Sequence, residues 1–106
     1  MAEQYVIEGV DFLPAQVAQL APQYQIRSVF LGCSSMTLES LDQFPGRSRG
    51  YSYLPEAMRR QIAQDVPRWS EFIRQEAEHF SYPYVDTVSG FPDRLQEAEA
   101  LLTAAL

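Results

Sequence analysis

Short apolar runs alternate with longer segments of helical periodicity, and this alternation constrains the fold of the chain more than any other feature. Residues 4–10 (QYVIEGV), 26–31 (IRSVFL) and the shorter 84–86 (YVD) combine β-branched or aromatic side chains, as strands do. Helices between such strands join them in parallel through right-handed crossovers. The order therefore predicts a three-layer α/β fold, in which helices flank a mainly parallel sheet of about three strands.

Prolines mark the ends of the predicted helices. Pro14 lies where a first helical turn tolerates proline, and Pro22 ends that helix. Thr37 has the hydroxyl side chain of an N-cap, and the short helix that follows it ends at Pro45. Pro92 opens the last helix. These positions predict a first, a short and a final helix around the strands.

The longest helical pattern begins after Pro55. Its apolar residues recur at steps of three or four and predict a single core-facing stripe: Met58, Ile62, Val66, Trp69, Ile73, Ala77 and Phe80. Pro67 interrupts this pattern, and because proline removes a backbone hydrogen bond we expect a break or a kink there. Residues 46–54 (GRSRGYSYL) precede the helix and predict a loop, because they combine glycine, serine and arginine with little periodicity.

The length and composition favour a single α/β domain over residues 1–106. The hydrophobic content is 46%, which is ample for one packed core. The longest apolar stretches are far shorter than the roughly 20 residues of a membrane span, and no basic-then-apolar leader precedes Glu3. A lone Cys33 excludes an internal disulfide, and a lone His79 offers no metal-ligand spacing. We therefore expect a cytoplasmic protein with no membrane contact and no metal site of its own.

The charge pattern bears on the partners of the chain. A net charge of −6 argues against the attraction to phosphate backbones that nucleic-acid binding requires, so no nucleic-acid role is expected. All eight basic residues are arginine, and five of them fall between Arg47 and Arg68. A guanidinium group suits bidentate contact with phosphate or carboxylate. The alternative is a solvated helix face that pairs with nearby acids.

The ends of the predicted strands would form one edge of the sheet. Ligands of parallel sheets bind beyond the carboxyl ends of the strands. This rule places residues 9–11, 32–35 and 86–89 along one edge, and each of these segments carries a carboxylate or hydroxyl groups. The edge is therefore the candidate site.

Taken in order, these segments resemble the C-terminal half of a P-loop small-molecule kinase. In that family an acid-ending strand, a VFLG-like strand, an arginine-bearing lid, a long helix, an Asp-Thr strand end and a final helix follow one another. The matching pieces are residues 5–10, 29–32, 47–60, 62–77, 84–87 and 91–102. The resemblance implies a partial P-loop kinase-like fold in which the loop 46–54 is lid-like.

The chain departs from that family because it lacks the phosphate loop. It has no lysine, and none of its five glycines begins a GxxxxGK[ST] pattern. Backbone amides and the lysine hold the transferred phosphoryl group in P-loop enzymes, and this positioning supplies most of the catalysis. We therefore expect no autonomous kinase or ATPase activity. ATP and Mg²⁺ are expected only if a separate phosphate-loop polypeptide complements the chain.

The resemblance also implies roles for individual residues. Glu8 or Asp11 would approach magnesium or act as the base towards an acceptor hydroxyl, with helix capping as the alternative. Asp86 and Thr87 belong to a segment, residues 86–89, that would border the adenine, with an ordinary strand-to-helix turn as the alternative.

The lid residues carry the other implied role. Arg47 and Arg49 on the loop, and Arg59 and Arg60 on the following helix, would close over the nucleotide phosphates and neutralise their charge. Cys33 follows a strand and precedes a helix start, where a thiol can be reactive, but a small packed side chain is the favoured interpretation.

Two functions from different classes fit these features. The first is the phosphate-lid half of an ATP-dependent small-molecule kinase, inactive alone, which is either cut from a longer chain or works with a separate phosphate-loop polypeptide. The second is a non-catalytic α/β interaction module that self-associates or binds a partner protein. Without a phosphate-loop strand, residues 4–10 and 26–31 must pair directly or leave a gap for another chain, since each buried unpaired backbone group costs about 1–3 kcal/mol. We therefore expect a homodimer through strand edges or a separate partner polypeptide.

Overall fold

The described part of the chain contains four α-helices and two short β-strands. This computed structural model describes residues 7, 9, 12–43 and 50–103. In chain order the elements are α1 (Pro14–Leu20), β1 (Phe30–Gly32), α2 (Leu38–Gln43), α3 (Glu56–His79), β2 (Tyr84–Asp86) and α4 (Phe91–Thr103), with 3₁₀ turns at Tyr51–Tyr53 and Thr87–Ser89. Apart from Ile7 and Gly9, the predicted strand at 4–10 lies outside the described residues, as does the first part of the predicted loop 46–54.

The two strands pair in parallel. Phe30 lies opposite Tyr84 and Gly32 opposite Asp86, and the Phe30 amide donates to the Pro83 carbonyl at 3.0 Å. α2 and α3 lie between the strands in sequence and provide the crossover that a parallel pair requires. The α/β class and the parallel pairing are thus confirmed, and the sheet of the described residues has two strands.

The second predicted strand is shorter than expected. β1 begins at Phe30, so residues 26–29 are not in a strand. The cause lies in the partner: Pro83 directly precedes β2 and has no N–H to donate, so the ladder with β2 cannot extend in that direction. The strand predicted at 84–86 is confirmed without change.

The core lies between α1, α3 and one face of the sheet. Phe30, Ile73 and Ala77 are buried together, and Ala77 is fully covered. The partly buried side chains that pack against this cluster are Leu13, Val17, Tyr82 and Tyr84. Neighbouring side chains alternate along a strand, so Val85 points to the other face, where α4 contacts β2. Val85 and Ala98 are the buried residues of β2 and α4.

α3 runs from one end of its predicted pattern to the other without interruption. Pro67 lies inside the helix, so of the two predicted outcomes the break is wrong and the kink stays a prediction. A proline in a helix interior costs about 3 kcal/mol or more. Packing offsets this cost, because Ala63, Ser70 and Ile73 on both sides of Pro67 are buried against the rest of the molecule.

The predicted core stripe of α3 is also partly wrong. Ile73 and Ala77 are buried as expected, but Met58 is 52% and Trp69 is 55% exposed. The helix approaches β1 so closely that a Cβ at Gly32 would lie 2.9 Å from the Cβ of Ser70. Only a small side chain fits at this contact, and Ser70 occupies it. The preceding residue of the helix, Trp69, is rotated by about 100° from Ser70 and is left largely in solvent.

The ends of the described chain follow the predicted pattern. α1 begins at Pro14, and the side chain of Glu76 on α3 accepts a hydrogen bond from the Ala15 amide at 2.8 Å. α4 begins at Phe91, one residue before the predicted opening proline. Among the helices of the described residues, none has the length and apolar character that crossing a membrane demands.

Candidate functional site

β1 and β2 end at the same edge of the sheet because they run in parallel. The last pair of the ladder is Gly32 with Asp86. Residues 33–35 and 87–89 leave the sheet side by side from this edge. The predicted convergence of segments 32–35 and 86–89 is therefore confirmed, whereas the third predicted segment, 9–11, falls largely outside the described residues.

Asp86 links the two segments through its carboxylate. Its Oδ1 atom accepts hydrogen bonds from the amides of Ser34 and Val88, both at 3.1 Å. Burial by itself would raise the pKa of Asp86, but the hydrogen bonds from the Ser34 side chain and from these two amides outweigh burial and hold the pKa below its usual value. Asp86 is therefore an ionised acceptor at neutral pH.

Thr87 ties the segments together from the other side. Its Oγ1 donates to the carbonyl of Gly32 at 2.9 Å. Asp86 and Thr87 therefore connect the segment after β2 to the end of β1 by two separate hydrogen bonds. The two predicted adenine-side residues thus lie at the predicted edge, and both hydrogen-bond across it.

Ser70 on α3 and Tyr84 on β2 lie beneath the residues of this edge, and the sequence analysis assigned a site role to neither of them. Ser70 is buried, its Oγ accepts from the Cys33 amide at 2.8 Å, and it also hydrogen-bonds the Tyr84 hydroxyl. Burial, followed by the charge of Asp86, raises the pKa of Tyr84. A signal for this contact existed in the sequence, because Ala63, Ser70 and Ala77 place small side chains every seven residues along α3.

Cys33 lies at this edge, and the packing role favoured from the sequence stays a prediction. The half-buried thiol donates to the carbonyl of Ser35 at 3.0 Å, and it is a free cysteine. Within the residues that the structure describes, no group of three histidine, cysteine or carboxylate side chains is arranged to hold a metal ion.

The two described lid arginines lie away from this edge. Arg59 precedes Ser70 by 11 positions, which corresponds to about 16 Å along the helix axis. Arg60 pairs with Glu56 one turn earlier at 3.2 Å, with both side chains mostly exposed. Arg47 and Arg49 lie outside the described residues.

Arg59 belongs to a second polar cluster, here named the clasp and made of Asp42, Tyr51 and Arg59. The Arg59 Nη1 atom lies 2.7 Å from Asp42 Oδ2, and the Tyr51 hydroxyl donates to Asp42 Oδ1 at 2.7 Å. Arg59 Nε also donates to the Leu54 carbonyl at 3.1 Å. The hydrogen bonds from Tyr51 and Arg59 hold the pKa of Asp42 below its usual value. The clasp therefore joins α2, the first 3₁₀ turn and α3.

Glu8 and Asp11, the residues predicted to approach magnesium or to act as the base, lie outside the described residues.

Comparison with protein-family models, with curated proteins and with solved structures finds no match for this chain. The chemistry of the described edge is that of an ionised carboxylate, two hydroxyls and a tyrosine that hold two loops together.

Proposed function

We propose that the chain is the phosphate-lid and adenine-side half of a P-loop small-molecule kinase, inactive by itself and completed by a separate phosphate-loop polypeptide. One observation carries this proposal. The α2–α3 crossover joins two parallel strands, and it brings residues 33–34 and 86–87 to one edge in the chain order that the resemblance implies.

The distribution of helices supports a three-layer arrangement of this kind. α3 packs against β1 on the face of Phe30, and α4 contacts β2. Leu31 points to the opposite face from Phe30 and remains 41% exposed. In the proposed assembly, elements of the phosphate-loop polypeptide would widen the sheet beside β1 and cover Leu31.

The electrostatics of the edge favour the adenine side of a nucleotide over its phosphates. The ionised Asp86 would repel a phosphate group, but a carboxylate readily accepts hydrogen bonds from a ribose hydroxyl or an amino group. Charge neutralisation must then come from elsewhere. We assign it to the phosphate-loop lysine and Mg²⁺ of the other polypeptide and to the predicted lid residues Arg47 and Arg49.

The clasp sets a condition for the remaining lid residues. Arg59 would have to exchange Asp42 for a phosphate oxygen before it took part in nucleotide binding, and Arg60 would have to leave Glu56. Breaking such contacts lowers the net affinity. We therefore expect millimolar or weaker ATP binding by the chain alone, which corresponds to about −4 kcal/mol or less favourable.

An NMR titration tests the location of this weak binding. With Mg²⁺-ATP raised to about 10 mM, the expected amide shifts concentrate at Ser34 and Val88, and they weaken in an Asp86→Ala variant. Gln64→Ala, on the exposed surface of α3, is the matched control that leaves them unchanged. An absence of shifts at the edge, or shifts that Asp86→Ala does not alter, would rule out the adenine-side role.

A second experiment tests the missing half. Calorimetric titration with ATP is repeated after the chain is mixed with a polypeptide that carries the strand, GxxxxGK[ST] loop and helix of a P-loop kinase. We expect tighter ATP binding by the mixture than by either component. No gain on mixing would contradict the proposed complementation.

The second candidate function is a non-catalytic interaction module, and the apolar surface favours it. The large apolar side chains that β1, the second 3₁₀ turn and α4 leave more than 40% exposed are Leu31, Val88, Phe91, Leu95 and Leu101. Clustered exposed apolar side chains mark protein interfaces. This function predicts a discrete homodimer or complex and no ATP-induced shifts at Ser34, so the same NMR titration separates the two candidates.

A further inference from the structure

The outward side of α3 carries an aromatic pair that is not part of the buried cluster of Phe30, Ile73 and Ala77. Trp69 and Phe72 are 55% and 45% exposed, and their rings stack with centroids 5.3 Å apart and planes at 19°. Asp65 and Arg68 line a shallow depression with this pair. A second depression continues from Phe72 towards the end of the helix, lined by Ala15, Gln75, Glu76, His79 and Phe80. The two depressions share Phe72 and form one continuous seam.

Helical geometry places this seam on one stripe. At about 100° per residue, Asp65, Phe72 and His79 fall almost in line, because they are spaced by seven. Arg68 and Glu76 lie four positions to either side of Phe72, next to that line. The buried residues Ser70, Ile73 and Ala77 lie about 100–160° around the helix from Phe72. The seam is thus separate from the edge at Asp86, and an inference drawn from it does not depend on the proposed function.

The charges of the seam are self-complementary. A basic residue lies four positions before Phe72, and an acidic residue lies four positions after it. We propose that a second copy of this chain docks here, with the two α3 helices antiparallel about a two-fold axis at Phe72. Arg68 then faces Glu76 of the second copy, and Asp65 faces His79 of the second copy. Both contacts occur twice, as two-fold symmetry requires.

Other arrangements of the same two helices bring like charges together. A parallel pair would set Arg68 against Arg68 and Glu76 against Glu76. An antiparallel pair with its axis between Ser70 and Glu71 would set Asp65 against Glu76. Like charges at an interface are unfavourable, so they select one orientation and one register.

The isolated chain leaves the seam ready for these contacts. Arg68 forms no ion pair within the described part of the chain, whose salt bridges involve other arginines. Glu76 uses Oε1 for the Ala15 amide, and a carboxylate has further acceptor positions for a guanidinium. Tryptophan, phenylalanine and arginine are also the side chains that interface centres favour.

A charge-swap experiment tests the register. Arg68→Glu alone and Glu76→Arg alone each place like charges in both symmetric contacts, so we expect each variant to dimerise at least about tenfold more weakly than the unaltered chain. In an equimolar mixture, an R68E chain presents acids at both positions and an E76R chain presents bases at both. Analytical ultracentrifugation should then show heterodimers. A mixture that sediments like its separate components, or an unaltered chain that stays monomeric at about 200 µM, overturns the proposal.

A crosslinking experiment tests the axis without altering Glu76, whose contact with Ala15 supports α1. In a Cys33→Ser background, Phe72→Cys places a thiol on the two-fold axis, within disulfide distance of its symmetric copy. Mild oxidation should link most of this variant into a dimer. Gln64→Cys, exposed on a different side of α3, is the matched control and should remain monomeric. Equal crosslinking of both variants, or none with Phe72→Cys, contradicts an axis at Phe72.

Discussion

The two halves of α3 meet the rest of the molecule in different ways. Its C-terminal half packs Ile73 and Ala77 against Phe30 and α1, with exposures of 7% and 0% for the two helix residues. Its N-terminal half buries one small residue, Ala63, and is otherwise held through Arg59, whose ion pair with Asp42 leaves the two side chains 25% and 37% exposed. Buried apolar contacts contribute far more free energy than solvent-exposed ion pairs. The C-terminal half of α3, next to the sheet, therefore stabilises the fold, whereas the clasp at the N-terminal half mainly orients α2 and the first 3₁₀ turn.

Truncation of one apolar side chain in each half tests this difference most strongly. Ile73→Ala removes buried methyl groups next to Phe30 and should lower the free energy of unfolding by about 2–5 kcal/mol. Met58→Ala removes a similar volume from an exposed position of the N-terminal half and should change the free energy of unfolding by about 0.5 kcal/mol or less. Urea unfolding followed by circular dichroism measures both. Equal losses would mean that the two halves are equally packed.

A methyl group added at Gly32 tests how tightly the C-terminal half of α3 packs against the sheet. The new Cβ would overlap the Tyr84 hydroxyl and lie 2.9 Å from the Cβ of Ser70. Gly32→Ala should therefore lower the free energy of unfolding by about 1–3 kcal/mol, as overpacking does.

The Tyr84→Phe variant provides the control for this overlap. It removes the hydroxyl that the new methyl group meets, so the double variant Gly32→Ala/Tyr84→Phe should lose less stability than the sum of the two single changes. Simple additivity in urea unfolding would show that Gly32 and Tyr84 do not meet.

The positions of the helices and of β2 were predicted from the sequence more accurately than the side of α3 that is buried. The positions of Pro14 and Pro92 and the apolar run 84–86 were enough to predict the helix starts and β2, because capping and turn rules act locally. The stripe on α3 could not be assigned in the same way. Trp69 fits the helical period, but the close approach at Gly32 excludes it from the sheet side, and such tertiary contacts are not encoded in periodicity.

For the candidate site, the location could be predicted from the sequence, but the individual side-chain contacts were not. Parallel pairing follows from the order of strands and helices, so the convergence of segments 32–35 and 86–89 could be predicted. The buried Ser70 was missed because a serine within a helix is usually exposed, although the small side chains at every seventh position of α3 were a signal for it. The ion pair between Arg59 and Asp42 could not be predicted either, because the two residues are 17 positions apart in the sequence.

The pH dependence of stability examines the edge of the sheet. The hydrogen bonds that hold the pKa of Asp86 below its unfolded value, which is about 3.9, stabilise the fold above about pH 4. This contribution disappears as the pH falls through the lowered pKa. Asp86→Asn should therefore be less stable than the unaltered chain at pH 7, with a gap that closes below about pH 4.

The control for this prediction is Gln96→Ala, an exposed change on α4 that alters no titratable group, so its effect on stability should not depend on pH. Thermal unfolding between about pH 2 and pH 7 gives the comparison. A gap for Asp86→Asn that widens towards acid would mean that its carboxylate is not stabilised by the Ser34 and Val88 amides.

The smallest effect is expected at the clasp. Arg59→Ala removes the ion pair with Asp42 and the hydrogen bond to the Leu54 carbonyl, and the melting temperature should fall by less than in Ile73→Ala, Gly32→Ala or Asp86→Asn. Part of this loss should vanish at about 1 M salt, where charges are screened beyond roughly 3 Å, while the loss from Ile73→Ala should persist. Arg60→Ala, whose pair with Glu56 is more exposed, is the matched control and should change little. If Arg59→Ala proves as damaging as Ile73→Ala and indifferent to salt, the clasp contributes to the packed core, and the distinction between the two halves of α3 fails.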